Sequence, residues 1–298
     1  MKAQTNNGEG AETMQPYMSV KNVSHVYPNG VTAVKDIDLD IYEGEVVAIL
    51  GSNGSGKTTL VKHFNGLLTP TKGEITVGGL NTKKEKISKL SSLVGYVFQN
   101  PNHQTFLPSV RKELEYGCTN LKMSESEMEE RVNKAIELFE LEDKLEDNPF
   151  DLNSSQRKEV AMASIMAVSP KVIVLDEPTT GQDHKGCKRV LDLVRMFKEH
   201  GHIVVLITHD MHLIGELNCR TIVMNQSRKI ADDQADIVFS HKGIMKEAGL
   251  QPPQITSFAN DLSNLDSSKT YLTVDSILSW IKENKEKKEE AVQIGSGS

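Results

Sequence analysis

The apolar positions of the chain fall into three patterns, each predicting a different kind of element. Continuous apolar runs stand at Val46-Val47-Ala48-Ile49-Leu50, at Val172-Ile173-Val174-Leu175 and across His202–Ile207. Runs of this length suit strands buried on both faces, as in a parallel sheet. Strict alternation marks Asp36–Tyr42, where Ile37, Leu39 and Ile41 interleave with Asp36, Asp38 and Asp40. A period of two predicts a half-exposed strand. Further strands are expected at about Met18–Tyr27, Gly73–Gly79 and Val94–Phe98. Helical spacing puts Met128, Val132, Ile136 and Phe139 on one face, behind Ser124-x-x-Glu127, a capping box. Other helices are expected over Thr59–Phe64, Ser155–Val168, Lys185–His200, from about Asp210, and over Thr273–Lys282, which holds the single tryptophan, Trp280.

Apolar strands alternating with helices predict an α/β fold, its sheet covered on both faces. The helical stretch at about 101–170 interrupts that alternation as an inserted subdomain. Residues 1–16 are polar and read as a disordered lead-in. After about residue 245 the composition shifts at Pro252-Pro253 to a Ser/Asn/Asp-rich run, so 246–298 reads as a C-terminal extension. It ends in a mixed-charge run, Lys282–Glu290, and a linker-like Gly295-Ser296-Gly297-Ser298.

Composition narrows the function classes. The chain has 298 residues, enough for one large or two modest domains. A net charge of −7 argues against a nucleic-acid-coating role. No apolar run approaches the roughly 18 residues that a spanning helix needs. Cys118, Cys187 and Cys219 are unpatterned and suit a reduced compartment. The basic cluster Lys83, Lys84, Lys86 and Lys89 reads as a solvated face, and Met162 and Met166 as core.

The chemistry concentrates after the first apolar run. Gly51-Ser52-Asn53-Gly54-Ser55-Gly56-Lys57-Thr58 fits the phosphate-cradling pattern G-x-x-x-x-G-K-[ST]. Its glycines let the backbone wrap an anion, while a helix beginning near Thr59 turns its positive end toward the phosphates. Lys57 is placed to reach the β- and γ-phosphates, and the Thr58 hydroxyl to ligate Mg²⁺. Asp176 closes the second apolar run, which sets its carboxylate near that cation. Glu177 follows, positioned to orient or deprotonate a water for in-line attack.

In chain order, Gly51–Thr58, Gln99, Leu152-Asn153-Ser154-Ser155-Gln156, Leu175-Asp176-Glu177-Pro178-Thr179, Asp183 and Thr208-His209-Asp210 resemble the ATP-binding-cassette ATPases over about residues 17–245. The resemblance implies a phosphate-loop fold with a mixed-sheet core, an N-terminal antiparallel portion, an inserted helical subdomain and a small C-terminal extension. It implies ATP as substrate with Mg²⁺, held by Thr58, Gln99 and Asp176. It implies that Tyr27 stacks on adenine and that Gln99 couples the nucleotide to a membrane partner. Asp183 would work across a dimer interface, and His209 would hold the γ-phosphate and the attacking water. Val97-Phe98-Gln99-Asn100-Pro101-Asn102-His103-Gln104 and the extension with Pro252-Pro253 resemble the energy-coupling-factor importers of vitamins and transition-metal ions. That narrower resemblance implies a second cassette ATPase, a membrane coupling protein received at Gln99 to about Val110, and a small substrate-binding membrane protein reached indirectly. It implies a C-terminal segment that helps hold the pair, and a peripheral place at the cytoplasmic face of the cell membrane. An ATPase for a binding-protein-dependent importer or an exporter, a soluble cassette ATPase, and a nucleotide-sensing module stay open beside it.

One segment departs from the family pattern. The usual Leu-Ser-Gly-Gly-Gln reads Leu152-Asn153-Ser154-Ser155-Gln156 here, with side chains where backbone approaches a partner's phosphate. The expectation is slow turnover of that partner's nucleotide, and hence a hetero-pair rather than a homodimer. The other reading is that the substitutions are tolerated.

Overall fold

The computed structural model describes residues 15–262, 265–266 and 269–295, with side chains of the last helix as far as Lys285. Residues 1–14 of the expected lead-in, residues 296–298 of the linker-like end and the side chains of 286–290 lie outside the described residues.

Two sheets stack face to face. The first is antiparallel and contains β1 (Met18–Val26), β2 (Thr32–Ile41), β4 (Lys72–Val77) and β5 (Leu80–Asn81), in the order β2-β1-β4-β5. The second contains β3 (Val46–Leu50), β6 (Val94–Val97), β7 (Val172–Asp176), β8 (Ile203–Ile207), β9 (Arg220–Asn225) and β10 (Arg228–Gln234), in the order β10-β9-β3-β8-β7-β6. Its strands run parallel except for β10, which pairs antiparallel with β9 at one edge.

The apolar runs have a direct explanation. In β3, Val46, Ala48 and Leu50 face one core, while Val47 and Ile49 face the other. Strands β7 and β8 divide their residues in the same way. The second core lies between the sheets and takes in Met18, Val34, Ile37, Leu39 and Ile41. With no solvent face, these strands have no polar positions to alternate with. Strand β2 has one, and Asp36, Asp38 and Asp40 are exposed there.

The helices follow in chain order as α1 (Lys57–Val61), α2 (Ile87–Leu90), α3 (Val110–Asn120), α4 (Glu125–Phe139), α5 (Ser154–Val168), α6 (His184–Glu199), α7 (Met211–Leu217), α8 (Ala235–Ser240), α9 (Lys242–Ala248), α10 (Gln254–Asp261) and α11 (Val274–Gly295). The helix after the phosphate loop is shorter than expected. It begins at Lys57 and ends at Val61, and turns carry Phe64 into the inter-sheet core. The Ser124 box is half made: Ser124 Oγ accepts from the Glu127 amide at 3.3 Å, but the Glu127 carboxylate turns to Arg131 at 2.9 Å. Helix α5 has the full box, with Asn153 Oδ1 accepting from the Gln156 amide (2.9 Å) and Gln156 Oε1 from the Asn153 amide (3.2 Å). Helices α3, α4 and α5 pack on one another through Val110, Leu114, Val132, Ile136, Phe139 and Met162. Ala259 of α10, Ile277 of α11 and Tyr271 between the two helices form a small separate cluster.

Candidate active site

Strand register brings the expected chemistry to one edge. Ile49 pairs with Ile207, Asp176 with Ile207, and Val97 with Leu175. The segments beginning at Gly51, Glu177, Thr208 and Phe98 therefore all leave the carboxyl edge of the sheet, where open α/β sheets bind ligands.

The phosphate loop is shaped by what its glycines avoid. Gly51 has φ 147°, and a Cβ there would stand 2.2 Å from the Met224 carbonyl oxygen. Gly56 has φ 103°, and its Cβ would stand 2.0 Å from the Ala33 carbonyl oxygen. Lys57 is buried, and its Nζ donates to the carbonyl oxygens of Gly51 (2.8 Å) and Ser52 (3.1 Å). Burial lowers its pKa, opposed by the carboxylates of Glu177 and Asp176.

Asp176 is buried, and its Oδ2 accepts from Thr58 Oγ1 at 3.2 Å and from Tyr96 Oη at 2.8 Å. Burial raises its pKa against those two hydrogen bonds. Oδ1 is buried without a partner, and so is Ser55 Oγ in the loop. An orphaned carboxylate oxygen beside a threonine hydroxyl is a donor set for a hard divalent cation. A hydroxyl and one free carboxylate oxygen suit Mg²⁺, which keeps its remaining positions for water and phosphate.

Glu177 sits next to it in a left-handed conformation, φ 53°. Its amide donates to the Ile207 carbonyl at 2.7 Å, tying it to β8. Oε1 lies 3.1 Å from His209 Nε2, and Oε2 accepts from Thr180 Oγ1 at 3.3 Å. Burial raises the Glu177 pKa, with His209 the chief opposing group. A raised carboxylate in a cleft is the property a general base uses.

Tyr27, Asn53, Gly54, Gly56, Lys57, Thr58, Thr59, Gln99, Asp176, Glu177 and His209 line one cleft of about 320 Å³. Tyr27 Oη meets Thr59 Oγ1 at 3.0 Å, and its ring stands edge-on to His25 at 4.7 Å. Gly51, Ser52 and Ser55 complete the loop behind these residues. The remaining expected residues are elsewhere. Asn153, Ser155, Gln156 and Asp183 line a second, polar cavity of about 250 Å³ with Glu140, Lys144 and Arg189, and Ser154 is exposed beside them. The two cavities share no residue. Asp183 Oδ1 caps α6 by accepting from the Gly186 amide at 2.7 Å. The Ser155 hydroxyl, set where the family has glycine, donates to Gln182 Oε1 at 2.8 Å.

Tyr96, a partner of Asp176, escaped the sequence reading. An aromatic in a buried strand reads as packing, and only the Asp176–Tyr96 contact reveals the donor.

A phosphate loop at the carboxyl edge of a parallel sheet, a strand-end Asp-Glu pair and a helical insertion define a phosphate-loop nucleoside triphosphatase. The family model described as ABC transporter matches residues 34–180. The energy-coupling factor transporter ATP-binding protein EcfA2 of Clostridium perfringens is 39% identical over 256 residues, covering 83% of this chain and 90% of that protein. The solved structure of cbiO1 from Clostridium perfringens, described as part of the ABC transporter complex cbiONQ, is 35% identical with a TM-score of 0.67, covering 80% of this chain and 97% of that one. The dimeric post-hydrolysis structure of the ATP-binding cassette MJ0796 with ADP and Pi is 28% identical with a TM-score of 0.66, covering 73% and 98%. The chain belongs to the ATP-binding proteins of ABC transporters. It spans less than half the length of two other relatives, putative ABC transporter ATP-binding proteins of Caldanaerobacter subterraneus and Methanosarcina acetivorans, at 46% and 44%.

Proposed function

We propose that the chain is the ATP-hydrolysing subunit of an energy-coupling-factor type importer for a vitamin or a transition-metal ion, working as one of a pair of cassettes. The observation that carries the pairing is the separation of the two cavities. The phosphate-loop cleft has its lysine, cation ligands and base, yet Asn153–Gln156 and Asp183 open onto another surface of the same chain. A second cassette completes each cleft. The importer class rests on the match to a protein named for it over 90% of that protein's length.

In this reading Tyr27 stacks on adenine and the loop amides of Gly51–Thr59 take the phosphates. Lys57 exchanges the carbonyls of Gly51 and Ser52 for the β- and γ-phosphate oxygens. Thr58, Asp176 and Gln99 hold Mg²⁺, which when bound neutralises charge on the transferring phosphoryl group. Glu177 accepts a proton from the attacking water. His209 releases Glu177 Oε1 and donates to the γ-phosphate, where charge develops. Asn153, Ser154, Ser155, Gln156 and Asp183 meet the partner's nucleotide. The side chains at 154 and 155 slow that nucleotide's turnover, so the pair is a hetero-pair. Gln99–Val110 receives the membrane coupling protein, and Gln99 is exposed at that surface. The C-terminal extension holds the pair together, and the chain works peripherally at the cytoplasmic face of the membrane. Among the described residues no helix is long and apolar enough to cross a membrane.

The test is a tagged pull-down from detergent-solubilised membranes of the source organism, with every co-purifying chain identified. A second cassette ATPase, a coupling protein and a small membrane protein are expected. Recovery of this chain as the only ATPase sinks the hetero-pair, and soluble partners alone overturn transport.

A further inference from the structure

Helix α5 carries a second feature two residues past Asn153–Gln156. Lys158 is 3% exposed, and its Nζ donates to the carbonyl oxygens of Glu177 at 2.9 Å and Thr180 at 2.8 Å. Lysine is rarely buried this far, because a desolvated ammonium is costly unless hydrogen bonds satisfy it. The two carbonyls bracket the turn Glu177-Pro178-Thr179-Thr180, which begins in the left-handed conformation of Glu177. A non-glycine residue keeps such a conformation only where its surroundings hold it there. On one side the Ile207 carbonyl holds the Glu177 amide. On the other, Lys158 holds the Glu177 carbonyl. A second tie lies beyond it, since Gln182 Nε2 donates to the Ser155 carbonyl at 3.2 Å and Ser155 Oγ donates back to Gln182 Oε1. Gly186 leaves room for that tie, as a Cβ there would stand 2.3 Å from Gln182 Oε1.

We infer that Lys158 is a positioning residue for Glu177, fixing the backbone from which the carboxylate projects. Because the same helix begins at Asn153–Gln156, Lys158 also links the aim of Glu177 to the surface that meets the partner's nucleotide. The link rests on the proposed pairing of cassettes; the positioning of Glu177 does not.

The test compares Lys158→Met and Lys158→Arg in the full chain within its purified assembly, measuring steady-state ATP hydrolysis and, separately, ATP affinity. Misplacing a reacting group by about an ångström costs on the order of 100-fold in rate, so Lys158→Met should lower kcat about tenfold or more. KM and Kd for ATP should stay within about twofold, because Lys158 is absent from the phosphate-loop cleft. Lys158→Arg keeps nitrogen donors at this place and should recover most of the rate. An unchanged kcat for Lys158→Met, equal losses in kcat and ATP affinity, or no recovery with Arg each overturn the inference. Should Lys158→Met fail to fold, Lys158→Gln, which retains an amide donor, carries the same comparison. ATP-dependent pairing of the unaltered chain is measured alongside by sedimentation. Its absence defeats the pairing and the link, and leaves the kinetic result on Glu177 standing.

Discussion

Two glycines of the phosphate loop share a positive φ but differ in the space around them, which separates backbone strain from collision. Gly54 has φ 80° with no atom within 4 Å of where a Cβ would stand. Gly56 has φ 103°, with the Ala33 carbonyl oxygen 2.0 Å from its Cβ position. Gly54→Ala meets only the left-handed penalty, about 1–2 kcal/mol. That penalty is present with and without nucleotide, so it lowers stability and leaves ATP affinity within about threefold. Gly56→Ala cannot stay in place, because 2.0 Å is more than an ångström inside comfortable contact at about 3.5 Å. Ala33 is buried in β2, which pairs with β1, so the loop moves rather than the strand. Losing one amide hydrogen bond to a charged phosphate costs about 1.5–3 kcal/mol, or about 10- to 100-fold in Kd. Titration of each purified variant with a fluorescent ATP analogue measures the difference, with thermal unfolding as the check on folding. Equal affinities for the two variants would refute a loop held rigid against β2.

Three more outcomes follow from the same geometry. Glu177→Gln keeps the side chain's shape but removes the base, so single-turnover phosphate release should fall by about 100- to 10,000-fold; ATP binding survives, and a parallel loss of binding would refute the role. Changing Ser154 and Ser155 together to Gly should raise the ATPase rate of the assembled pair, and no gain counts against impairment by those side chains. His63 is buried, and its pKa is lowered to about 4 by burial and by neighbouring His25. Its neutral form is therefore favoured on folding, so its contribution is intact above pH 6.5 and is lost as pH falls from 6.5 to about 4. The loss amounts to about 3 kcal/mol, and denaturant unfolding of the wild-type chain and a His63→Gln variant across that window should show a shallower acid slope in the variant.

The parallel strands were legible because burial on both faces leaves an unbroken apolar run, as in β3, β7 and β8. The loop and the Asp176-Glu177 pair were legible because phosphate chemistry restricts residue types over short spacings. Strand β10 escaped because it is an edge strand whose residues Arg228–Gln234 are half-exposed or exposed, leaving no run to see. Helix α3 escaped because its buried face includes Glu113, whose carboxylate accepts from the amides of Phe106 and Leu107. Lys158 reads as a solvated helix residue until the Glu177 and Thr180 carbonyls are seen above it. The bond from the Ser155 hydroxyl to Gln182, 27 residues on, is equally invisible in the sequence. Long-range partners of this kind leave no local mark.

Strands β3, β7 and β8 are walled by a core on each side, and this bears on how the molecule breathes. A backbone amide exchanges its hydrogen when water reaches it, and here water arrives only after a packed layer has come apart. Val47–Ile49, Ile173–Leu175 and Val204–Leu206 should therefore exchange last, at the rate of whole-molecule opening. The loops that line the phosphate-loop cleft spring directly from the ends of these strands. Any movement of those loops is therefore anchored to the part of the chain that opens least often.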